Sequence, residues 1–429
     1  MAYTRILSPI ERYYVSCDLA FSDYTPCLNQ MTLEGTGDVD IDAWQHAVAE
    51  ASRANPGSRL VLRGHLGFSR WVDSGKTTPF RVVDDAQWDG LSDFGAAFLR
   101  HPLPAREGPT SEVLLVRGTH RHFVVFRTHH GVMDGRGTQA FADDVFRVLR
   151  GIPPVGENSN ITDLELAREI TQTPGDVIET DVNAPTGLPD GNSTGSVWQR
   201  LTLPGSSRQV LAKVAIAIGE LSRSYTDSPV RIQLPVDMRG HQDGIRSTAN
   251  LSGGLVLEVT AQTDIEAWTQ DIKAQLAEKK EAQVPRFVKK MPTWMASWVP
   301  LKTIYKANVK VAKMRRDTGM YRTSAIVSNL GLVPLKGYIG GGFTAQRVFF
   351  IPPEFDTTAF FLTLSGHQNG MDLVLRTPRT LATQGRLSNA LAKVAAALAD
   401  SPVSGLTGGS RMSRQRTQRQ KDAAQVEGA

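Results

Sequence analysis

The sequence predicts an α/β protein built from two subdomains. Three observations carry that expectation. A chain of 429 residues is long for one domain and suits two of about 200. Each half alternates strand-like apolar runs with segments of helical spacing, in the order strand, helix, strands, helix. Between the halves, residues 156–195 are rich in Asn, Asp, Thr, Pro and Gly, which marks a linker. The expected organisation is a first subdomain over 1–155, the linker over 156–195, a second subdomain over 196–400, and a tail over 401–429.

The elements follow in order. Leu7-Ser8-Pro9 opens a helix, with serine at the cap and proline at the first helical position. A strand over Asn29–Leu33 precedes Ile41–Asn55, where Ile41, Trp44, Val48 and Ala51 recur at helical spacing until Pro56-Gly57. Strands are expected near Arg59–Leu62 and Thr78–Val83. Glu112–Arg117 and His120–Thr128 form a hairpin that turns at Gly118-Thr119. A helix over Thr138–Leu149 follows, and a short one near Thr162–Thr171 lies in the linker. The second half reads as strand Val197–Leu203, helix Ser206–Ser222, strands Val230–Pro235 and Leu255–Thr260, and helix Ile265–Ala282. Strands Thr323–Leu330, Ala345–Ile351, Ala359–Gly366 and Met371–Thr377 and a helix over Thr383–Leu398 close it.

Composition narrows the class. Hydrophobic content of 41% and charged content of 21% are ordinary for a soluble globular protein. No run of eighteen apolar residues predicts a membrane span, and the first residues lack a signal-peptide core. Cys17 and Cys27 make neither a disulfide framework nor a zinc pattern and read as free thiols in a reducing cytoplasm. The tail carries +3 of the net +5, and its Gly, Ser, Gln and Arg content predicts disorder. Residues 1–400 hold no zinc finger, RNP-like strand or basic recognition helix, so no nucleic-acid partner is expected. Gly75-Lys76-Thr77 has Arg70 where a P-loop needs its first glycine, Gly340-Gly341-Gly342 reads as a turn, and no GxSxG elbow occurs.

The chemistry concentrates at Thr128-His129-His130-Gly131-Val132-Met133-Asp134-Gly135. The pattern HHxxxDG would arise by accident in roughly one such chain in a thousand. Histidine titrates near neutrality and can take a proton from an alcohol or amine about to attack a carbonyl. A tight turn after a strand lets the second ring face a cavity while the aspartate points back to hold the turn. His120, His122, His129 and His130 could instead supply nitrogen ligands to a metal, although no cysteine or acidic cluster accompanies them. Residues 286–316 form a second unusual segment, with nine Lys or Arg, no acid, and Trp294 and Trp298 four apart. Such a segment could dock an acidic carrier protein, hold coenzyme A phosphates, rest on anionic lipid, or be a solvated basic helix pair.

The motif resembles that of the HHxxxDG acyltransferases: condensation domains of nonribosomal peptide synthetases, chloramphenicol acetyltransferase, and polyketide- and lipid-associated acyltransferases. Ser328-Asn329-Leu330-Gly331 resembles an SNLG-like stretch that these proteins carry near their tunnel, and Pro235-Val236-Asp237-Met238-Arg239 resembles one that provides an arginine to the motif aspartate. The resemblance implies two chloramphenicol-acetyltransferase-like α/β subdomains in a V-shaped pseudo-dimer with an active-site tunnel between them. It implies that His130 is catalytic, that Asp134 is mainly structural, and that Gly135 keeps the turn open. It makes Arg239 the candidate partner of Asp134, with Arg246 as rival. His129, Ser328 and Asn329 are supporting candidates, the latter two positioning substrate or stabilising an oxyanion, unless they simply form a strand-ending turn.

The function implied is a free-standing condensation-type acyltransferase of natural-product biosynthesis, with no permanent cofactor and no metal. It would take an acyl group from phosphopantetheine on an acyl or peptidyl carrier protein, or from coenzyme A, and pass it to a small-molecule alcohol or amine as a monomer in the cytoplasm. Alternatives are a lipid O-acyltransferase at the membrane surface and a non-catalytic module that binds a carrier protein.

Overall fold

The computed structural model describes residues 3–20, 27–84, 87–178, 180–286, 288, 298–355 and 357–399. The predicted disordered tail lies outside the described residues, as does Trp294 of the basic segment.

Two six-stranded sheets define the subdomains. The first contains β1 (Leu28–Thr36), β2 (Phe80–Val83), β3 (Ser111–Arg117), β4 (His122–His129), β9 (Ile339–Gly340) and β10 (Phe343–Ile351). Its order is β9-β10-β1-β4-β3-β2, antiparallel except at the β3–β2 edge. The second contains β5 (Ser196–Leu203), β6 (Val230–Asp237), β7 (Ser252–Val259), β8 (Ala325–Leu332), β11 (Phe361–His367) and β12 (Gly370–Pro378). Its order is β7-β6-β8-β11-β12-β5, with β6, β8 and β11 parallel.

The longer helices among the described residues are α1 (Pro9–Ala20), α2 (Ile41–Ala54), α3 (Gly135–Leu149), α4 (Asp163–Ile170), α5 (Val210–Arg223), α6 (Ile265–Ala277), α7 (Leu301–Thr318) and α8 (Arg386–Leu398). Ser8 and Glu11 cap α1 reciprocally, each side chain bonding the other's backbone N–H, at 3.3 and 3.0 Å. α6 stops earlier than its apolar spacing predicts, because Lys279 takes a left-handed φ of 56° and turns the chain.

The continuous apolar run of β4 is explained by burial on both faces. Val124 and Phe126 join the core under α2 and α3, whereas Phe123 and Val125 face a second core with Trp88 and Trp198. This strand, rigid on both sides, delivers the histidine pair.

The expected domain boundary requires correction. β9 and β10 belong to the second half in sequence and to the first sheet in space. β10 pairs with β1 from Thr344↔Thr36 to Ile351↔Gln30. Its Val348 and Phe350 enter the core of Met31 and Leu33, and Phe349 and Ile351 enter that of Trp88. Without it, β1 would present an apolar open edge. Residues 196–400 are therefore not one continuous subdomain.

The linker is bound to both halves. Glu157 accepts from the Gly57 amide at 2.6 Å and from the Thr248 amide at 2.7 Å. α4 packs Leu166 and Ala167 against Met238, Ala249 and Leu251. A buried charged joint also crosses between the sheets. Arg200 of β5 donates Nε to Asp372 at 2.7 Å and Nη1 to Glu34 of β1 at 2.8 Å, and lies 3.9 Å above the Phe349 ring. His367 meets Asp372 at 2.9 Å. Glu34 also meets Arg121 and Arg347 at 3.0 and 3.5 Å.

Candidate active site

The chain leaves β4 at His129 and enters α3 at Gly135, three residues before the helix expected at Thr138. Asp134 sets that start. Its extended backbone and its Oδ1, which accepts from the Gly137 amide at 2.7 Å, make it the N-cap. The intervening turn is pinned through its carbonyls. Asn29 Nδ2 donates to Met133 O at 2.6 Å, Arg5 Nη2 to Val132 O at 3.0 Å, and Asn250 Nδ2 to His130 O at 2.6 Å. Three side chains from separate parts of the chain thus satisfy backbone groups that a buried turn cannot leave unpaired.

His129 works within the turn. It is buried, and its Nδ1 accepts from the Gly131 amide at 2.8 Å. His130 faces the other subdomain. Its ring stacks on Tyr14 of α1, with centroids 4.1 Å apart and planes 15° apart, and Phe355 lies 6.1 Å away.

Asn250 determines the state of that ring. A carbonyl can only accept, so the Asn250 amide nitrogen must face His130 O, and Oδ1 then faces His130 Nδ1 at 3.1 Å. Oδ1 also only accepts, so Nδ1 carries the ring proton. Nε2 is left with its lone pair, the form a general base needs. Burial holds the His130 pKa below its ordinary 6.5 against the opposing pull of its own backbone carbonyl, Asp134 and Asn250.

Asp134 is the anchor between the halves. Besides the Gly137 amide, its carboxylate takes both terminal nitrogens of Arg239 at 3.0 and 3.1 Å, the Leu251 amide at 2.9 Å and Ser252 Oγ at 2.9 Å. Burial alone would raise its pKa, but the Arg239 charge and these hydrogen bonds override it and hold the acid below 3.8. Arg239 in turn donates to Ser247 O and Ala249 O at 3.0 and 2.5 Å and to Asp237 at 2.7 Å. Arg246 pairs elsewhere, with Asp144 at 2.9 Å.

The other candidates fall at varied distances from this centre. Gly135 opens α3, but an added Cβ there would meet only Leu330 and Phe350 at 3.6 and 3.9 Å, and its φ is not in the left-handed range. The turn itself therefore does not demand glycine at 135. The steric demand sits at Gly137, where a Cβ would come within 1.9 Å of Thr248 O. The SNLG stretch lies beside the motif helix, since Arg136 Nη2 donates to Leu330 O at 2.9 Å. Ser328 is half-buried on β8. Asn329 is exposed, and its side chain accepts from the Gly331 amide at 3.0 Å where the strand bulges. Among the described residues, no group of three His, Cys, Asp or Glu side chains is placed to hold a metal ion.

Sequence reasoning missed Asn250 and Tyr14. Asn250 sits in the polar loop between β6 and β7 with no pattern around it. Residues 249–252 nevertheless contact Arg239, His130 and Asp134 in succession.

No family model and no curated protein matches the sequence. Solved structures do match over nearly the whole chain. The first condensation domain of the CDA synthetase superposes with a TM-score of 0.64 at 16% identity, covering 94% of this chain and 98% of that one. A variant of the starter condensation domain of rhizomide synthetase in complex with C8-CoA gives 0.63 at 15%, covering 93% and 96%. The epimerization domain from the third module of a tyrocidine synthetase gives 0.56 at 13%, covering 93% and 96%. The chain has the condensation-domain fold of two α/β subdomains. A fold that also serves epimerization does not by itself choose the reaction.

Proposed function

We propose that this protein is a condensation-type acyltransferase that moves an acyl group from a pantetheine thioester to a hydroxyl or amine. The observation that carries the reading is His130 at the subdomain junction, with Nδ1 occupied by Asn250 and Nε2 available as base. The starter condensation domain solved with C8-CoA supports a thioester donor.

In this reading the acceptor O–H or N–H gives its proton to His130 Nε2 as oxygen or nitrogen bonds to the thioester carbonyl carbon. The tetrahedral oxyanion gains support from the positive end of α3, where the Gly135 amide has no intrahelical acceptor. The C–S bond then breaks, and the thiolate takes the proton from the imidazolium. The motif has no Ser or Cys nucleophile, so transfer is direct. Asp134 and Arg239 hold the subdomains in register and do not touch the reacting atoms.

Intact-mass spectrometry tests this reading. An acyl-loaded carrier protein and the matching acyl-CoA are each incubated with alcohols and amines. Loss of the acyl mass with the wild type and one acceptor, absent with His130→Ala, is the expected result and names donor and acceptor class. Equal transfer by His130→Ala would remove the base role. No transfer from either donor would favour a module that binds a carrier protein without catalysis.

A further inference from the structure

The loop joining the strands Leu60–Arg63 and Arg70–Asp73 reads Arg63-Gly64-His65-Leu66-Gly67-Phe68-Ser69-Arg70. Its tip carries apolar side chains into solvent: Phe68 is 66% and Leu66 38% exposed. Leu66 holds a left-handed φ of 48°, a strained conformation for a branched residue. Trp298, 46% exposed, meets Phe68 edge-on with centroids 6.0 Å apart, and Val299 beside it is also exposed. These side chains make one exposed apolar cluster.

Exposed basic side chains neighbour both segments of this cluster in sequence. Arg63 and Arg70 flank the loop tip and are exposed. α7 begins three residues beyond Trp298 and buries Asn308 and Ala312, which points Lys302, Lys306 and Lys310 outward on one stripe. None of these five cations has a carboxylate partner among the described residues.

We infer that this face seats the protein on an anionic lipid bilayer, with Leu66, Phe68 and Trp298 entering the interface and the arginines and lysines meeting lipid headgroups. Aromatic side chains favour the membrane–water interface, and basic stems reach headgroups from a surface helix. The charge and the apolar tips together choose an anionic bilayer over a protein partner. Five cations without carboxylate partners among the described residues lie beside exposed aromatic and branched side chains, which matches headgroup charge and the apolar interface at once. α7 packs on α1, whose Tyr14 stacks on His130, so the site lies one helix behind this face. The inference does not depend on the reaction proposed above.

Vesicle flotation of the full chain is the test. Equimolar phosphatidylcholine–phosphatidylglycerol vesicles are compared with phosphatidylcholine alone, at low and high salt. Strong binding to the anionic vesicles at low salt, weakened by salt, is expected. Lys302→Gln/Lys306→Gln/Lys310→Gln should lose on the order of 100-fold in affinity. Phe68→Ser should lose about tenfold. Both variants alter exposed side chains, and an unchanged melting temperature confirms their fold. Absence of anionic-vesicle binding overturns the inference. So does wild-type binding by both variants, which would place the contact elsewhere, in the basic tail among other places. Binding to an acidic carrier protein but not to vesicles would assign the face to a protein partner and also overturn it.

Discussion

Two buried charged joints fasten the subdomains, and they differ in what they hold. The Asp134–Arg239 joint is bidentate, with Asp237 as a second acid on Arg239, and it closes the motif turn. The Glu34–Arg200–Asp372 joint lies between the sheets, with His367, Arg121 and Arg347 around it. In the first, Asp134 also accepts from the Gly137 and Leu251 amides, which fix the motif turn and the facing loop. In the second, each acid keeps other partners if Arg200 is lost. The partners of the first joint are the motif turn, the α3 cap and the 249–252 loop, so that joint fixes the geometry of the site, whereas the second, set between the sheets, serves cohesion.

The largest expected effect separates them. Asp134→Ala strips the N-cap and leaves Arg239 without its bidentate partner, a loss of about 3–5 kcal/mol. Urea unfolding should show that loss together with abolished transfer. A wild-type midpoint would deny Asp134 its anchoring role. Arg200→Met should cost less, about 2 kcal/mol, because Glu34 keeps Arg121 and Arg347 and Asp372 keeps its hydrogen bonds to Thr202 and His367. Its kcat should stay within about twofold. A large loss of kcat at wild-type stability would mean the second joint also sets the site.

Asn250→Ala should cost about 1–2 kcal/mol through the unpaired His130 carbonyl. It should also lower kcat more than it raises KM, since the tautomer is no longer fixed. A pure KM effect would recast Asn250 as a substrate contact.

The smallest effects are in pH. His130 has a lowered pKa in the folded protein, so the folded state binds fewer protons than the unfolded chain just below 6.5. That contribution to stability is present above 6.5 and is lost as pH falls from there through the folded value. The acid limb of the rate profile should accordingly lie below pH 6.5. Asp134 and Asp372 are both held below 3.8, Asp372 because His367 and Arg200 override its burial. Their contribution is present above 3.8 and lost as pH falls through the folded values. Urea midpoints measured between about pH 5 and pH 2 should fall for the wild type and flatten for Asp134→Ala. A flat wild-type curve would contradict both assignments.

The sequence exposes one joint and hides the other for a physical reason. His130 and Asp134 stand four apart, and a turn plus a cap is a local structure that local spacing can reveal. Arg239 was reachable only through a resemblance, because nothing in its own neighbourhood points to residue 134. Arg200, Glu34 and Asp372 sit on three strands as single charges in apolar surroundings, and only strand pairing brings them together. Asn250 is invisible for the same cause: its partner is 120 residues away. Helix and strand positions were largely legible from periodicity. β10 was legible as a strand, but period-2 alternation does not say which sheet a strand joins.

That strand has a consequence for how the chain is made. β1 takes one neighbour from residues 122–129 and the other from residues 343–351. At about 5–20 residues per second, the ribosome needs roughly 10 to 45 s to pass from the first to the second. Throughout that interval the nascent first sheet carries a bare edge bounded by Met31 and Leu33, the kind of template that recruits stray strands. The motif turn is synthesised early, but its sheet closes late. The yield of active protein is thus set during translation as well as by final stability, and slowing elongation between these two segments should cost soluble protein.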